Sequence, residues 1–283
     1  MTPLVAAAVL LAAVTHASWN AIAHGIRDQL VAFTLIAGGG ALIGAVAACF
    51  APFPDAGAWP YLVASAVLHL GYQALLMRSF SLGDFGQMYP IARGTAPLLV
   101  TVLAAVFVGE SLDRWQAAGV AVASAGLVGV ALWGMRSAAA KPRWPALVAA
   151  LATGVSIAAY TVVDGVGVRE SGTPLGYIAW LMLLQGSLIP LYALYARRDG
   201  LLERLRPHAR LGLLGAALSV GAYALVLWAQ TRAPLAPIAA LRESSIIVGA
   251  AIGAVFFKER FGTPRLAAAG LMVVGIGLML HVS

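Results

Sequence analysis

Tyr89-Pro90-Ile91-Ala92-Arg93-Gly94-Thr95-Ala96-Pro97 opens an apolar run that reaches Val108. A run of about 20 residues crosses a hydrocarbon core as a helix. This one carries an arginine, which costs about 2.5–3.5 kcal/mol at the centre of a spanning helix. It also carries two prolines, each of which removes a backbone donor. An ionisable residue in such a place faces a protein interior or a wet cavity, and so marks a candidate site.

The same pattern returns 149 positions later. Arg93 falls on Arg242, Val106-Phe107 on Val255-Phe256, Glu110 on Glu259 and Gly126 on Gly275. Each copy has a polar entry, an apolar helix, a glutamate at the exit, a short turn and another apolar helix. Self-similarity of this kind predicts two related halves, each giving a broken, arginine-bearing helix to a shared centre.

Composition sets the setting. The 283 residues are 61% hydrophobic and 10% charged, with mean hydropathy +0.89. Spread in repeated blocks, that hydrophobicity predicts a polytopic helical membrane protein. The net charge of +7 lies mostly in short connections between apolar blocks, where positive charge orients membrane helices. No basic stripe with interleaved aromatics is present, so nucleic acid is not an expected partner. Cys49 is alone, which excludes an internal disulfide, a cysteine zinc site and a thiol relay. No metal or cofactor is expected.

Ten spans follow, roughly 3–22, 30–50, 58–79, 85–108, 115–134, 144–163, 174–196, 210–230, 235–257 and 263–281. Five per half is odd, so the second half enters the membrane inverted. The expected fold is an all-α membrane protein: ten transmembrane helices as two inverted five-helix repeats, 1–137 and 138–283, around a central cavity. A site at the interface of inverted repeats is the architecture of many secondary transporters. Leu4–Val14 lacks the positive flank of a signal peptide, so it reads as a retained first helix. Thr2-Pro3, Thr173-Pro174 and Thr263-Pro264 read as helix starts, a capping hydroxyl before a proline.

Polar and aromatic residues gather on six spans. His16, Trp19 and Asn20 share one face of the first span by their i, i+3, i+4 spacing, and His69, Tyr72 and Gln73 share one face of the third. Tyr160 lies near the end of the sixth, Tyr223 on the eighth, and Arg242, Glu243, Ser244 and Ser245 on the ninth. The second span reads as a packing face, with Gly40-x-x-x-Gly44 suited to close approach, and Gly249-x-x-x-Gly253 reads the same way. Asp164 reads as a loop charge.

The whole chain resembles the drug/metabolite transporter superfamily, ten-helix EamA type. The two five-span halves carry the resemblance, with Gly109-Glu110 and Lys258-Glu259 closing the fourth and ninth spans and glycine-rich helices after them. The second copy has Lys where the family has Gly. The resemblance implies a small-metabolite carrier with a central cavity, and amino-acid export is the sharpest expectation; the alternatives are a carrier for another organic solute (an organic anion, sugar or phosphorylated metabolite), a channel, or an intramembrane enzyme.

The candidate substrate-binding residues are His16, Trp19, Asn20, His69, Tyr72, Tyr89, Arg93, Tyr160, Tyr223, Arg242, Glu243 and Ser244. Arginine grips carboxylate or phosphate with a planar fork. The competing reading of Arg93 and Arg242 is an internal pair, with Glu243 for instance. Glu243 suits a proton or a substrate ammonium, or a partner on another helix such as His16 or His69. The histidines suit a proton relay or a helix-to-helix hydrogen bond. Protons are therefore a candidate coupling partner, beside the substrate and membrane lipid. Aromatics stack on apolar groups or cations. Glu110 reads as a turn or helix-start residue. No phosphate-binding Gly-x-x-x-x-Gly-Lys loop is present, which argues against ATP as a direct power source. Hydrolase and metalloprotease motifs are also missing, which argues against an intramembrane enzyme.

Overall fold

The computed structural model describes residues 1–82, 85–137, 144–197, 199–248 and 263–281, and among these it is built of helices joined by short turns. In chain order they are α1 (Pro3–Gly25), α2 (Gln29–Ala48), α3 (Trp59–Leu82), α4 (Phe85–Leu103), α5 (Arg114–Ser137), α6 (Trp144–Glu170), α7 (Pro174–Ala196), the short α8 (Leu201–Leu205), α9 (Ala209–Gln230), α10 (Leu235–Arg242) and α11 (Thr263–Leu280). The polar stretch between the expected spans 174–196 and 210–230 contains α8. Gly249-x-x-x-Gly253 and Glu259 lie outside the described residues.

Local chemistry starts and stops these helices. The Thr2 hydroxyl accepts from Val5 N–H at 3.4 Å, and the Thr173 hydroxyl from Gly176 N–H at 3.1 Å. Each satisfies one of the four orphan donors at a helix start. The Thr263 side chain lies outside the described residues. α4 widens into a π turn over Ala104–Val108 and stops at Gly109, whose φ of +72° favours a residue without Cβ. That is a local reason for the glycine of Gly109-Glu110.

Glu110 then starts a different helix. One of its oxygens accepts from Leu235 N–H at 2.7 Å, at the first turn of α10, and the other pairs with Arg169 Nη1 at 2.8 Å. Arg169, near the end of α6, donates to the carbonyls of Gln230 at 2.8 Å and Ala233 at 3.1 Å. One clamp thus fastens the ends of α4, α6 and α9 to the beginning of α10.

The apolar surface faces outward. Leu42, Val46, Val67, Phe107, Leu194 and Leu213 are exposed, whereas Arg93, Asp164, Arg242 and Glu243 are buried. Water would penalise so much exposed hydrocarbon; lipid does not. Five described stretches are long and apolar enough to cross a membrane by length and composition: Pro3–Ala23, Gln29–Ala48, Leu147–Glu170, Pro174–Ala196 and Leu201–Gln230. Arg93–Val108 and Ala267–Leu280 are shorter apolar helices.

The principal packing partners are α2 with α7, α5 with α11, α3 with α6, and α1 with α9. Small residues permit the closest approaches. A Cβ on Gly44 would lie 2.7 Å from the Ala179 carbonyl of α7, and one on Gly186 2.6 Å from the Ala37 carbonyl of α2. Gly44 therefore packs as the sequence suggests, while Gly40 has only Val220 at 3.5 Å and lines a cavity.

Candidate functional site: an aromatic cavity beside a buried ion pair

A cavity of about 110 Å³ lies between the helices, with room for several waters or a small solute. α1 contributes His16 and Trp19, α3 contributes His69, Tyr72 and Gln73, α6 contributes Tyr160, α9 contributes Ser219 and Tyr223, and α10 contributes Arg242. α2 and α7 also form wall, through Phe33 and Gly40 on one and Met182 and Gln185 on the other. The expectation that α2 only packs is corrected by this wall: its glycines let α7 close in, and that brings both helices to the cavity.

Trp19 Nε1–H donates to His16 Nδ1 at 3.2 Å. Indole nitrogen only donates, so His16 Nδ1 accepts and the proton of the neutral ring sits on Nε2. Asn20 turns away from this role: its amide donates to the His16 carbonyl at 2.8 Å, one helical turn back. His69 Nδ1 lies 2.9 Å from the Ser65 carbonyl. A carbonyl only accepts, so here Nδ1 carries the proton. The His69 ring stacks on Tyr160 at 4.0 Å and meets Tyr223 edge-on at 5.5 Å.

The arginines have different fates. Arg93 Nε pairs with Glu243 Oε2 at 2.7 Å, and Arg93 Nη2 donates to Ser245 Oγ at 3.3 Å. All three residues are buried. Glu243 therefore meets neither His16 nor His69, because α4 packs across α10 and presents Arg93 to it. Arg242 Nε stays 3.9 Å from Glu243 Oε1, far longer than the 2.7 Å contact of Arg93. Among the described residues, Arg242 brings the one full charge to the cavity wall.

The backbone makes this possible at a break in the helix. α10 ends at Arg242, residues 243 and 244 form a turn, and helix resumes at 245. Glu243 N–H and Ser244 N–H bond three residues back, to Ala240 and Leu241 at 3.2 and 3.1 Å. Tightening of this kind rotates neighbouring side chains relative to an α-helix, so Arg242 and Glu243 serve different neighbours. The break expected in the first copy is absent: α4 runs unbroken through Arg93. Ser244 is buried beside the turn, and the cavity wall does not include it. The Tyr89 side chain lies outside the described residues.

Asp164 was misread from the sequence. It is fully buried in α6, which continues to Glu170. Tyr177 Oη donates to its Oδ1 at 2.9 Å, and Tyr223 Oη donates to its Oδ2. Its position four residues after Tyr160, on the same helix face, was the available signal. Gln185 was also passed over; its amide oxygen is buried without a partner.

Residues 144–281 match the model of the EamA-like transporter family. No curated protein matches the chain. One matching crystal structure, 18% identical, superposes with a TM-score of 0.69 and covers 98% of this chain and 95% of its own. At that identity the likeness concerns the fold alone. In keeping with the resemblance read from the sequence, the part of the chain that is similar to the EamA-like transporter family is residues 144–281.

Proposed function

We propose that this chain is a secondary transporter, not an enzyme, that exports amino acids across a bacterial inner membrane. It has ten transmembrane helices in two inverted repeats, 1–137 and 138–283, which rock about the cavity to alternate access. The repeat reading is supported by the packing. Exchanging the halves turns the α3–α6 contact into the α9–α1 contact and leaves α2–α7 and α5–α11 unchanged.

The observation that carries the substrate class is Arg242, a buried guanidinium in an aromatic wall, left largely unpaired because Arg93 occupies Glu243. It suits a carboxylate gripped in two places. The amino group would meet the faces of Trp19, Tyr72 and Tyr160 and the Gln185 amide oxygen. A second reading, a carrier of organic anions, is favoured by one feature: among the described residues no carboxylate lines the cavity to receive an ammonium.

Counterflow of labelled L-alanine in proteoliposomes tests this. Saturable exchange, competed by neutral amino acids and lost in Arg242→Ala, is the expected result. Competition by carboxylates without an amino group, and none by amino acids, would move the substrate to organic anions. No acceleration by unlabelled solute on the far side, for any of these compounds, would end the carrier reading.

A further inference from the structure

The cavity site leaves one buried charge unused. Asp164 has no exposure, lies inside the helix bundle, and among the described residues takes its bonds from hydroxyls and not from an arginine. Burial favours the neutral form of a carboxyl, whereas hydroxyl donors favour the anion. Asp164 is subject to both. An arginine-paired carboxylate such as Glu243 is held as an anion by a fixed positive charge; Asp164 is held by groups that can reorient.

The groups around it are all accounted for among the described residues. α3 presents Ser65 and His69, α7 presents Tyr177, and α9 presents Tyr223. Tyr160, on Asp164's own helix, stacks on His69. Arg242, on α10, lines the same cavity as His69 and Tyr223. His69 gives its Nδ1 proton to the Ser65 carbonyl, and the Ser65 hydroxyl lies 3.1 Å from the same nitrogen. Tyr223 alone both donates to Asp164 and lines the cavity. Its hydroxyl is thus the bridge from cavity water to the carboxylate.

We propose that Asp164 is a proton-binding site, loaded from the cavity through the Tyr223 hydroxyl, and that its change of charge couples proton movement to solute movement. This rests on the transporter reading. In the loading step a hydronium ion in the cavity gives a proton to Tyr223 Oη. The hydroxyl proton already there passes to Asp164 Oδ2. One O–H bond forms on Asp164 and one on tyrosine, one O–H bond of the tyrosine and one of the hydronium break, and water remains. The site changes from −1 to neutral. Tyr223 keeps its hydroxyl and now accepts from Asp164, which frees that hydroxyl's own proton to face the cavity. The network that holds the anion therefore rearranges where solute would bind.

Infrared difference spectra of the purified protein in lipid nanodiscs, recorded as pH is stepped, read this site without any solute. The expected result is a protonated-carboxyl band that grows reversibly as pH falls, remains in Glu243→Gln and vanishes in Asp164→Asn. Should Asp164→Asn fold poorly, Tyr177→Phe gives a second reading: loss of one donor moves the same band to higher wavenumber. Absence of a titrating carboxyl in the wild type, or its survival in folded Asp164→Asn, overturns the site. L-alanine counterflow and pH-gradient-driven uptake on the same preparation separate the failures. Counterflow without the band overturns the proton site alone. The band without counterflow of any solute overturns the transporter reading and the coupling, and leaves the proton site standing. Counterflow and the band together, with uptake indifferent to the gradient, overturn the coupling.

Discussion

Arg93 and Arg242 stand 149 residues apart, at matching places in the repeated sequence pattern, and their surroundings differ. Arg93 is engaged with Glu243 and Ser245. Arg242 borders the cavity, at the longer distance from Glu243. One carboxylate is shared unequally, at 2.7 Å from one guanidinium and 3.9 Å from the other. The inequality arises because α10 breaks after Arg242 while α4 runs on through Arg93. Two arginines that match in sequence therefore sit unequally, one engaged between helices and the other at the cavity wall.

The largest expected effect comes from removing the arginine that is engaged. Arg93→Ala leaves Glu243 buried with only a distant partner, and such a loss costs about 3–5 kcal/mol. A steep fall in melting temperature in detergent is expected, and transport should fall too, because Arg242 would be drawn to Glu243. Arg93→Met with Glu243→Met should restore most of the stability, since an apolar pair of similar volume needs no compensation. An Arg93→Ala protein that melts like the wild type would show that the pair does not hold the centre together.

Arg242→Ala should act the other way, on transport before stability. Hydrogen bonds to a charged ligand contribute about 1.5–3 kcal/mol, so the KM for a carboxylate solute should rise roughly 10- to 100-fold. Arg242→Lys should fall between, because lysine keeps the charge and loses the planar fork. If both variants exchange solute with unchanged KM, the contrast between the two arginines has no functional meaning.

How much of this was legible depends on what hydropathy reports. The arginines, prolines and repeat drew attention to the right helices, because a charge in an apolar run is costly wherever the helix faces. The same signal could not distinguish Arg93 from Arg242, since their difference lies in a turn at residues 243–244 and in which helix crosses. Asp164 was missed because hydropathy marks where an apolar run ends, and α6 continues seven residues beyond the expected end at 163. Gln185 was visible but ambiguous: an amide in an apolar helix reads the same whether it lines a cavity or packs. Threonine caps were read correctly at Thr2 and Thr173, because capping needs only neighbours in sequence. Partners of Glu243 needed the tertiary crossing, and the histidines named for it proved to bond within their own helices.

Ion pairs nearer the ends of the helices sharpen the contrast by being weaker. Glu110 is part-buried and does two jobs, capping α10 and pairing with Arg169. Glu110→Ala should cost about 1–2 kcal/mol, combining a lost cap with a partly exposed pair. Glu110→Gln keeps an acceptor for Leu235 N–H and should cost less than half of that. Equal losses in the two variants would mean that charge, and not capping, is what fastens α10.

The smallest effect belongs to Asp28, between α1 and α2, where the carboxylate is a third exposed and pairs with Arg197. Burial raises this carboxyl, but the Arg197 guanidinium and the backbone N–H groups of Val31 and Leu30 outweigh it and hold it below the usual carboxylate range. A carboxyl that titrates lower when folded adds stability above its unfolded pKa, about 3.9, and loses it as pH falls through the folded value. Asp28→Asn keeps the cap, because asparagine accepts from the same N–H groups, and removes only the charge. At neutral pH it should lower stability by about 0.5 kcal/mol or less, as exposed pairs do, and the two melting curves should converge as pH drops below about 4. Added salt should shrink the same difference at neutral pH. A difference that persists below the folded pKa would mean the asparagine perturbs the helix start itself. A difference as large as that of Arg93→Ala would contradict the ranking by depth, in which a pair sealed inside the bundle is costly to break and a pair in water is not.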